Sequence, residues 1–269
     1  MVTQKAVAVV RSGDRIRLKD VDPGDTAGLS KPDAAERVEA LREELKALQR
    51  ALYAEHRRSV LIILQATDTG GKDGTAKHLC DGLDVVGLQV TGFKPPSADD
   101  LDHDFLWRIH KMTPARGMIG LWNRSHYEDV LIARVHKLVE KEVWKGRYED
   151  INAFEKILTN NRTVLLKFFL HISKDEQKKR LISRLQKPEK LWKFDPADLK
   201  DRAVWDEYQQ AYEDAINRCS TDDAPWHIVP ADHKWFRNLA VMECVVSKLE
   251  EMDPEYPKLK FDPKEIVVT

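Results

Sequence analysis

The chain has 269 residues, of which 42% are hydrophobic and 33% charged. This is enough apolar material for a core, so wholesale disorder is excluded. The 44 Lys and Arg residues nearly cancel the 45 Asp and Glu residues, which disfavours a globally basic nucleic-acid-binding protein and a polybasic membrane protein. The best apolar runs, such as 60–64, are far shorter than the roughly 20 residues that a membrane span needs. With no export signal apparent and only three scattered cysteines, we predict a cytoplasmic protein without a disulfide framework or a zinc motif.

The predicted elements alternate between helices and strands. The first 30 residues hold several glycines and charges without a clear period, which is typical of an arm. Ser30 and Pro32 mark a helix start, and apolar spacing predicts one helix over 33–58. The next segment, Ser59–Gln65, contains a continuous apolar run at 60–64, as expected for a central strand buried on both faces. Further buried strands are predicted at 85–91, 118–122, 164–172 and 226–229. This order indicates a parallel sheet with helices on both sides.

A glycine-rich turn, 66–75, follows the first of these strands and precedes a helical segment. The order of strand, glycine-rich turn, lysine and helix is typical of a phosphate-binding loop, or P-loop, whose backbone N–H groups and helix N-terminus cradle phosphate oxygens. Lys72 is placed to reach the terminal phosphates. The residues predicted to bind phosphate here are Thr69, Gly70, Gly71, Lys72, Asp73, Gly74 and Thr75.

The turn departs from the usual P-loop pattern at two positions. Ala66 replaces the first glycine, and Asp73 replaces the Ser or Thr whose hydroxyl ligates Mg²⁺ in ordinary P-loop enzymes. The Asp73 carboxylate could meet a hard cation or cap the helix. Asp68 inside the turn could serve Mg²⁺ or an acceptor group, or it could point away and cap a turn, because a carboxylate beside phosphates is otherwise repelled.

The strand predicted at 118–122 ends in a second polar segment, 123–129. In parallel sheets, ligands gather at the carboxyl ends of the strands. Arg124 there suits a bidentate grip on phosphate. Glu128 and Asp129 are candidates for a metal shell or acid–base chemistry, or they start the next helix, where acids suit the dipole. Two aromatic residues of the segment are predicted to be packing residues: His126 and Tyr127.

Three segments, 66–75, 123–130 and 187–194, together resemble the family-2 polyphosphate kinases, over about residues 30–250. The Asn-Arg-Ser-His-Tyr-Glu-Asp form of 123–129 is most similar to the class III branch of that family. The resemblance implies an α/β fold of the P-loop kinase-like type, with three α/β/α layers, a five-stranded mostly parallel sheet and a helical lid. It divides the chain into an N-terminal arm (1–30), a P-loop phosphotransferase domain (31–250, lid about 174–202) and a C-terminal extension (251–269).

The resemblance also implies a reaction. Members of the class III branch transfer a phosphoryl group from inorganic polyphosphate to nucleoside mono- and diphosphates with Mg²⁺. We therefore expect AMP and ADP as acceptors, GMP and GDP as further candidates, and Mg²⁺ as cofactor, with Mn²⁺ as an alternative. No nucleic-acid or membrane partner is expected. Family members are commonly dimers or tetramers, so a homo-oligomer is expected.

The segment 177–194 holds seven basic residues and one acid, a local charge that the neutral total hides. Arg180, Arg184 and Lys187 have the spacing of one helix face. Such a run is often a solvated helix face, but its position after the strand at 164–172 and the resemblance both indicate a lid over the phosphates. Arg180 and Arg184 are predicted to offset charge on the transferring phosphoryl group, and Lys187 to bind polyphosphate.

The resemblance places the acceptor nucleotide between the second and third predicted strands and at the second polar segment. The predicted acceptor residues are Lys94, Asp104, Arg108, Asn123 and Glu128. The charged residues before the third strand, Lys94, Asp104 and Arg108, could equally be surface or capping residues. The predicted metal ligands are Asp68 and Glu128.

The favoured hypothesis is a polyphosphate-dependent nucleotide kinase. Its predicted catalytic residues are Asp68, Lys72, Arg124, Arg180 and Arg184. An ATP-dependent nucleoside or nucleotide kinase of the P-loop class is the alternative, disfavoured by Asp73 and by the basic segment. A non-catalytic polyanion-binding module is a third hypothesis, disfavoured because a pure binder gains nothing from carboxylates beside phosphates.

Overall fold

The core of the fold is a six-stranded sheet in the order β1-β6-β5-β2-β4-β3. The structure, a computed structural model, describes residues 2–266, so Met1 of the predicted arm and residues 267–269 of the predicted extension lie outside it. Strands β2 to β6 are parallel, whereas β1 runs antiparallel to β6. The strands are β1 (Ala8–Val10), β2 (Ser59–Gln65), β3 (Leu88–Gly92), β4 (Ile119–Asn123), β5 (Thr163–His171) and β6 (Trp226–Pro230).

Ten helices are described, with short 3-10 turns that include His126–Asp129 and Pro188–Lys193. No helix within residues 2–266 is long and apolar enough to cross a membrane. The helices are α1 (Lys31–Glu55), α2 (Lys72–Cys80), α3 (Ala98–Leu101), α4 (Trp107–His110), α5 (Ile132–Val135), α6 (Lys141–Asn160), α7 (Lys174–Gln186), α8 (Ala197–Ala203), α9 (Trp205–Arg218) and α10 (Lys234–Met252).

Strand β2 lies at the centre of the sheet, between β4 and β5, and every one of its residues is buried. Its alternate side chains face opposite layers. Val60, Ile62 and Leu64 pack with α1, α2 and α10, whereas Leu61 and Ile63 pack with α6. Because both faces are covered, the strand is apolar from Val60 to Leu64, and the layers form the α/β/α sandwich that the sequence predicts.

The predicted strand count is wrong by one. Strand β1 lies in the segment predicted as an arm and extends the sheet by pairing Ala8 with Ile228 and Val10 with Trp226. Its residues belong to the short apolar run 6–10, but so short a run does not distinguish an edge strand from part of an arm, and it does not identify its partner.

The strand predicted at 85–91 also differs in the structure. Residues Val85–Gly87 form a 3-10 turn, because the Asp84 side chain accepts a hydrogen bond from the Val86 N–H. Strand β3 then begins at Leu88 on the outer edge of the sheet, where Val90 is 55% exposed. This strand is therefore a half-exposed edge strand and not a buried one.

Helix α1 begins as predicted, with a capping box in which Ser30 and Asp33 exchange hydrogen bonds. It ends three residues earlier than predicted, because His56 takes a left-handed conformation with φ of 53°.

Candidate active site

Four loops meet at the carboxyl edge of the sheet, after β2, β4, β5 and β6. The segment 174–203, from α7 through α8, lies against them and is the segment that the sequence predicts as a lid. Between this α7–α8 segment and the loops lies an open cleft of about 780 Å³. Nine basic residues line it against five acidic ones. The cleft is therefore suited to a polyanion.

The P-loop (66–75) has the alternating backbone of a phosphate-binding nest, with Thr69 at φ 62° and Gly71 at φ 106°. A Cβ added to Gly70 would lie 2.4 Å from the Ala66 Cβ, and one added to Gly71 would lie 1.8 Å from Arg237 Nη1. Gly70 thus makes room for the alanine that replaces the usual first glycine. Gly70 is therefore required by close approach and Gly71 by its left-handed backbone, and the departure at Ala66 is compensated within the loop.

Lys72 begins α2, and its Nζ donates to the Ala66 carbonyl at 2.7 Å. Burial, together with the nearby Arg124 cation, lowers the pKa of Lys72 to about 8. The ammonium is thus folded back over the loop and remains mostly protonated at neutral pH.

Asp73 joins three parts of the site. Its carboxylate accepts from Asn123 Nδ2 at 2.8 Å and from Lys193 Nζ at 2.6 Å. Lys193 holds the pKa of the Asp73 carboxyl below its usual range. Asp73 makes no capping hydrogen bond to α2, so in this conformation it links the P-loop helix to the α7–α8 segment.

The structure brings Asp68, Arg124 and Glu128 together, as the sequence predicts. Arg124 Nη2 lies 3.4 Å from Asp68 Oδ1, and Nη1 lies 3.5 Å from Glu128 Oε2. Arg124 has a φ of 65°, an uncommon value for a residue other than glycine. These side chains face a small chamber at the base of the cleft, which is completed by Gln177, Asp201, Trp205, Tyr208 and Tyr212.

Carboxylate oxygens in this chamber suit a hard divalent cation. Mg²⁺ in phosphate-transferring sites is commonly held by one or two carboxylates together with substrate phosphates. Of the three acids in the chamber, Asp68 and Glu128 are the two that flank Arg124, and they supply that number. In residues 2–266 no group of three or more His, Cys, Asp or Glu side chains is placed to hold a metal ion. The donor set therefore fits a cation shared with substrate and not an all-protein cage.

Arg180 is buried, and its donors are all engaged. It donates to the carbonyls of Thr69 and Gly70 at 3.1 Å, to the carbonyls of 231–232, and through Nε to Glu176 at 2.8 Å. The sequence predicts that this side chain reaches the reacting phosphate. In this structure it instead clamps the P-loop to the loop that follows β6.

Arg184 remains partly exposed in the cleft. Its Nη1 donates to the Lys193 carbonyl and to Asp198, both at 3.2 Å. Burial, reinforced by the Asp68 charge, raises the pKa of Asp198 to about 6. Arg184 thus stands where the sequence predicts a phosphate contact, held meanwhile by an internal carboxylate.

Lys187 lies apart from the other predicted phosphate-binding residues. Helix α7 ends at Gln186, the backbone at Lys187 is extended, and its side chain is exposed and outside the cleft lining. Lys190 and Lys193 line the cleft in its place. Helical spacing therefore identified the face correctly only as far as the helix continues.

The predicted acceptor residues between β3 and β4 lie outside the cleft lining. Arg108 Nη1 donates to the Lys94 carbonyl at 2.7 Å, and Asp104 Oδ1 accepts from a nearby backbone N–H. Arg108 Nη2 also lies 3.9 Å from Asp129, whose pKa is raised to about 6 by burial despite Arg147 and Arg108. This cluster is connected to the second polar segment through Arg108.

The sequence did not predict several charged residues of the site, among them Arg237 and Asp201. Arg237 on α10 is 3% exposed, and its Nη1 approaches the Gly70 carbonyl at 3.5 Å. Burial and the neighbouring Arg180 lower the pKa of Arg237 to about 9. Its position just after the strand predicted at 226–229 is a signal that could have found it. Asp201 has no such signal, because the fold of the α7–α8 segment alone brings it to the chamber.

The chain is similar in sequence and in structure to known polyphosphate-using enzymes. The family profile described as Polyphosphate kinase 2 matches residues 28–257. The AMP/ADP-polyphosphate phosphotransferase of Meiothermus ruber is 46% identical over 261 residues, covering 96% of this chain and 98% of that protein. The ADP-polyphosphate phosphotransferase of Rhodopseudomonas palustris is 45% identical over 228 residues, covering 80% and 79%. The crystal structure of polyphosphate kinase 2 from Arthrobacter aurescens TC1 superposes with a TM-score of 0.91 at 44% identity, covering 95% of this chain and 92% of that one.

Proposed function

The chain belongs to the polyphosphate kinase 2 family, and from this premise we propose that it transfers a phosphoryl group from inorganic polyphosphate to nucleoside mono- and diphosphates, AMP and ADP first among them. The predicted family, enzyme class and P-loop kinase-like fold are confirmed. The observation that carries the finer proposal is the open cleft, whose nine basic lining residues come from the α7–α8 segment, the P-loop and the neighbouring loops and helix.

The proposed binding of polyphosphate, the phosphoryl donor, rests on charge. A linear polyphosphate presents closely spaced negative charges, and the cations of the cleft offset them. We assign Arg184, Lys190 and Lys193 to binding the polyphosphate along the α7–α8 segment, which would act as a lid. Lys72 and the P-loop backbone receive the terminal phosphate, as in other P-loop sites.

The acceptor phosphate is assigned to the chamber side, where Arg124 stands between Asp68 and Glu128. Arg124 grips an acceptor phosphate oxygen with its forked donors. Asp68 and Glu128 would hold Mg²⁺, or Mn²⁺ in its place, which when bound neutralises charge on the phosphates. The predicted acceptor residues Lys94 and Arg108 are assigned to the distal part of the nucleotide.

In the transfer, an acceptor phosphate oxygen forms a bond to the terminal phosphorus, and the bond from that phosphorus to the chain breaks. The products are a nucleotide with one more phosphate and a polyphosphate with one fewer. A phosphate oxygen is already a competent nucleophile, so positioning and charge neutralisation supply the catalysis. Arg180 contributes by holding the P-loop, since direct phosphate contact would require it to release its backbone carbonyls.

The test is a donor competition. The purified chain is incubated with Mg²⁺ or Mn²⁺, one of the acceptors AMP, ADP, GMP or GDP, and either polyphosphate or ATP. We expect ADP and ATP to form from polyphosphate, and activity to disappear when a chelator removes the metal. Transfer from ATP to a nucleoside, with none from polyphosphate, would overturn the proposal in favour of an ATP-dependent kinase.

A matched substitution tests the chamber. Asp68→Asn keeps the shape of the side chain but removes its charge, so polyphosphate binding should persist while transfer falls by about 100-fold or more. Titrating Mg²⁺ with this variant separates two roles, because lost metal affinity raises the concentration of Mg²⁺ required. Full activity at ordinary Mg²⁺ would show that the Asp68 assignment is wrong.

A further inference from the structure

A fully buried lysine lies beneath the second polar segment. Lys167, on β5, is 0% exposed. Its Nζ donates to Glu155 Oε2 at 2.6 Å, to Tyr127 Oη at 3.0 Å and to the Cys219 carbonyl at 2.6 Å. All three ammonium protons are therefore used inside the protein.

Its partner, Glu155 on α6, is equally engaged. Tyr127 Oη donates to Glu155 Oε1 at 2.8 Å, and His126 Nε2 lies 3.3 Å from the same oxygen. Burial lowers the pKa of His126, so the ring is neutral and donates through Nε2, while its Nδ1 has no partner in the part of the chain that the structure describes. Burial acts to raise the pKa of Glu155, but Lys167 and His126 outweigh it, and the carboxyl stays ionised.

Stability alone is a weak reason for such a cluster. A buried ion pair can often be replaced by apolar side chains at no cost in stability, because taking two charges out of water is expensive. The cluster instead connects four segments: α6, β5, the His126–Asp129 turn and the end of α9. Two of them, the turn and α9, carry residues of the chamber. The cluster thus fixes both sides of the chamber relative to the sheet.

The second polar segment, 123–129, needs such support. Arg124 has a left-handed backbone, and residues in that conformation persist only where the surroundings over-determine them. On the sheet side, its N–H donates to the Leu64 carbonyl at 3.1 Å, and the buried Ser125 Oγ accepts from the Tyr127 N–H at 3.2 Å. On the other side, the hydroxyl of Tyr127 is held by Lys167 and Glu155.

We propose that Lys167, Glu155 and Tyr127 form a buried anchor that fixes the second polar segment, and that they are positioning residues for phosphoryl transfer. They touch neither substrate and act by setting where Arg124 stands. This inference rests on the proposed function, since its readout is the rate of transfer.

The test begins with Tyr127→Phe, which removes the hydroxyl and keeps the ring in its packing against Trp226 and His126. Loss of a hydrogen bond to charged partners should lower kcat by about tenfold. The KM for polyphosphate should stay within about twofold, because the donor is gathered elsewhere in the cleft. The matched control is Tyr148→Phe: Tyr148 is 3% exposed, and its Oη has no hydrogen-bond partner within residues 2–266. This control should leave kcat unchanged.

A double-mutant cycle with Arg124→Ala then separates positioning from general stability. If the anchor acts through Arg124, Tyr127→Phe has no further effect on kcat in the Arg124→Ala background. A fully additive effect would overturn the proposal. So would a lowered Tm with unchanged kcat in Tyr127→Phe, which would leave the cluster merely structural.

A second variant keeps the proposal testable if Tyr127→Phe folds poorly. Glu155→Gln keeps the size of the side chain and an acceptor oxygen, and it should lower kcat in the same direction, with the same lack of additivity toward Arg124→Ala. Unchanged kcat in both folded variants would refute the anchor. Absence of transfer from polyphosphate in the unsubstituted protein would instead refute the proposed function, so the two failures are distinguishable.

Discussion

Five of the nine cations of the cleft form two groups that differ in what holds them. The inner group, Lys72, Arg180 and Arg237, donates to backbone carbonyls around the P-loop. The outer group, Arg184 and Lys193, is held by the carboxylates of Asp198 and Asp73. Carbonyls are fixed by the fold, whereas partly exposed ion pairs exchange readily and contribute little stability. The inner group is therefore suited to setting geometry, and the outer group to exchanging internal carboxylates for phosphates.

The largest expected effect is at Lys72. Lys72→Ala removes the inner cation assigned to the terminal phosphate, so kcat should fall by about 1000-fold. Initial rates at saturating polyphosphate and nucleotide check this. A loss of less than about tenfold would remove Lys72 from the catalytic set.

Arg180 should give the next largest effect, with a signature in stability as well. Arg180→Met frees several buried carbonyls and loosens the P-loop, so kcat should fall by about 100-fold and Tm by about 10 °C. Rates and thermal unfolding of the same preparation measure both. If Tm is unchanged while the KM for polyphosphate rises, Arg180 belongs to the outer group and contacts phosphate, as its sequence position predicts.

Substitutions in the outer group should weaken polyphosphate binding and leave the rate of phosphoryl transfer nearly unchanged. Arg184→Ala and Lys193→Ala should each raise the KM for polyphosphate by about five- to tenfold and change kcat by less than about twofold. The increase should shrink at high salt, because exposed contacts are screened. A kcat loss comparable with that of Arg180→Met would erase the distinction between the groups.

The smallest effect is expected at Lys187, which is exposed and outside the cleft lining. Lys187→Ala removes the same charge from the same basic segment as Lys193→Ala, so it is the matched control. Its KM and kcat should change by less than about twofold. An effect equal to that of Lys193→Ala would mean that net charge, and not position, governs donor binding.

Much of the fold was predictable because the pattern is local. The apolar runs of β2 and β5 and the helical spacing of α1 each lie within one element, and each predicted the observed element. The edges were not predictable. Strand β1 depends on a partner more than 200 residues away in β6, and β3 is an edge strand whose half-exposed pattern resembles a buried run.

In the site, too, local patterns were predictable and tertiary contacts were not. The P-loop and the second polar segment follow strand ends directly, so Asp68, Lys72, Arg124 and Glu128 were found and are brought to one edge of the sheet. The P-loop partners of Arg180 lie about 110 positions earlier in the chain, and spacing within a helix predicts a face without saying what meets it. Tyr127 was expected only to pack, because its hydrogen bonds to Lys167 and Glu155 depend on tertiary structure.

The dependence of polyphosphate affinity on salt tests the distinction between the two groups most directly. Each cation that contacts the chain contributes counter-ion release, so removing one such contact should make the slope of log Kd against log salt concentration shallower by about 0.7. The prediction is that Arg184→Ala shows this reduction and that Arg180→Met keeps the slope of the unsubstituted protein. Equal reductions in the two variants would contradict it.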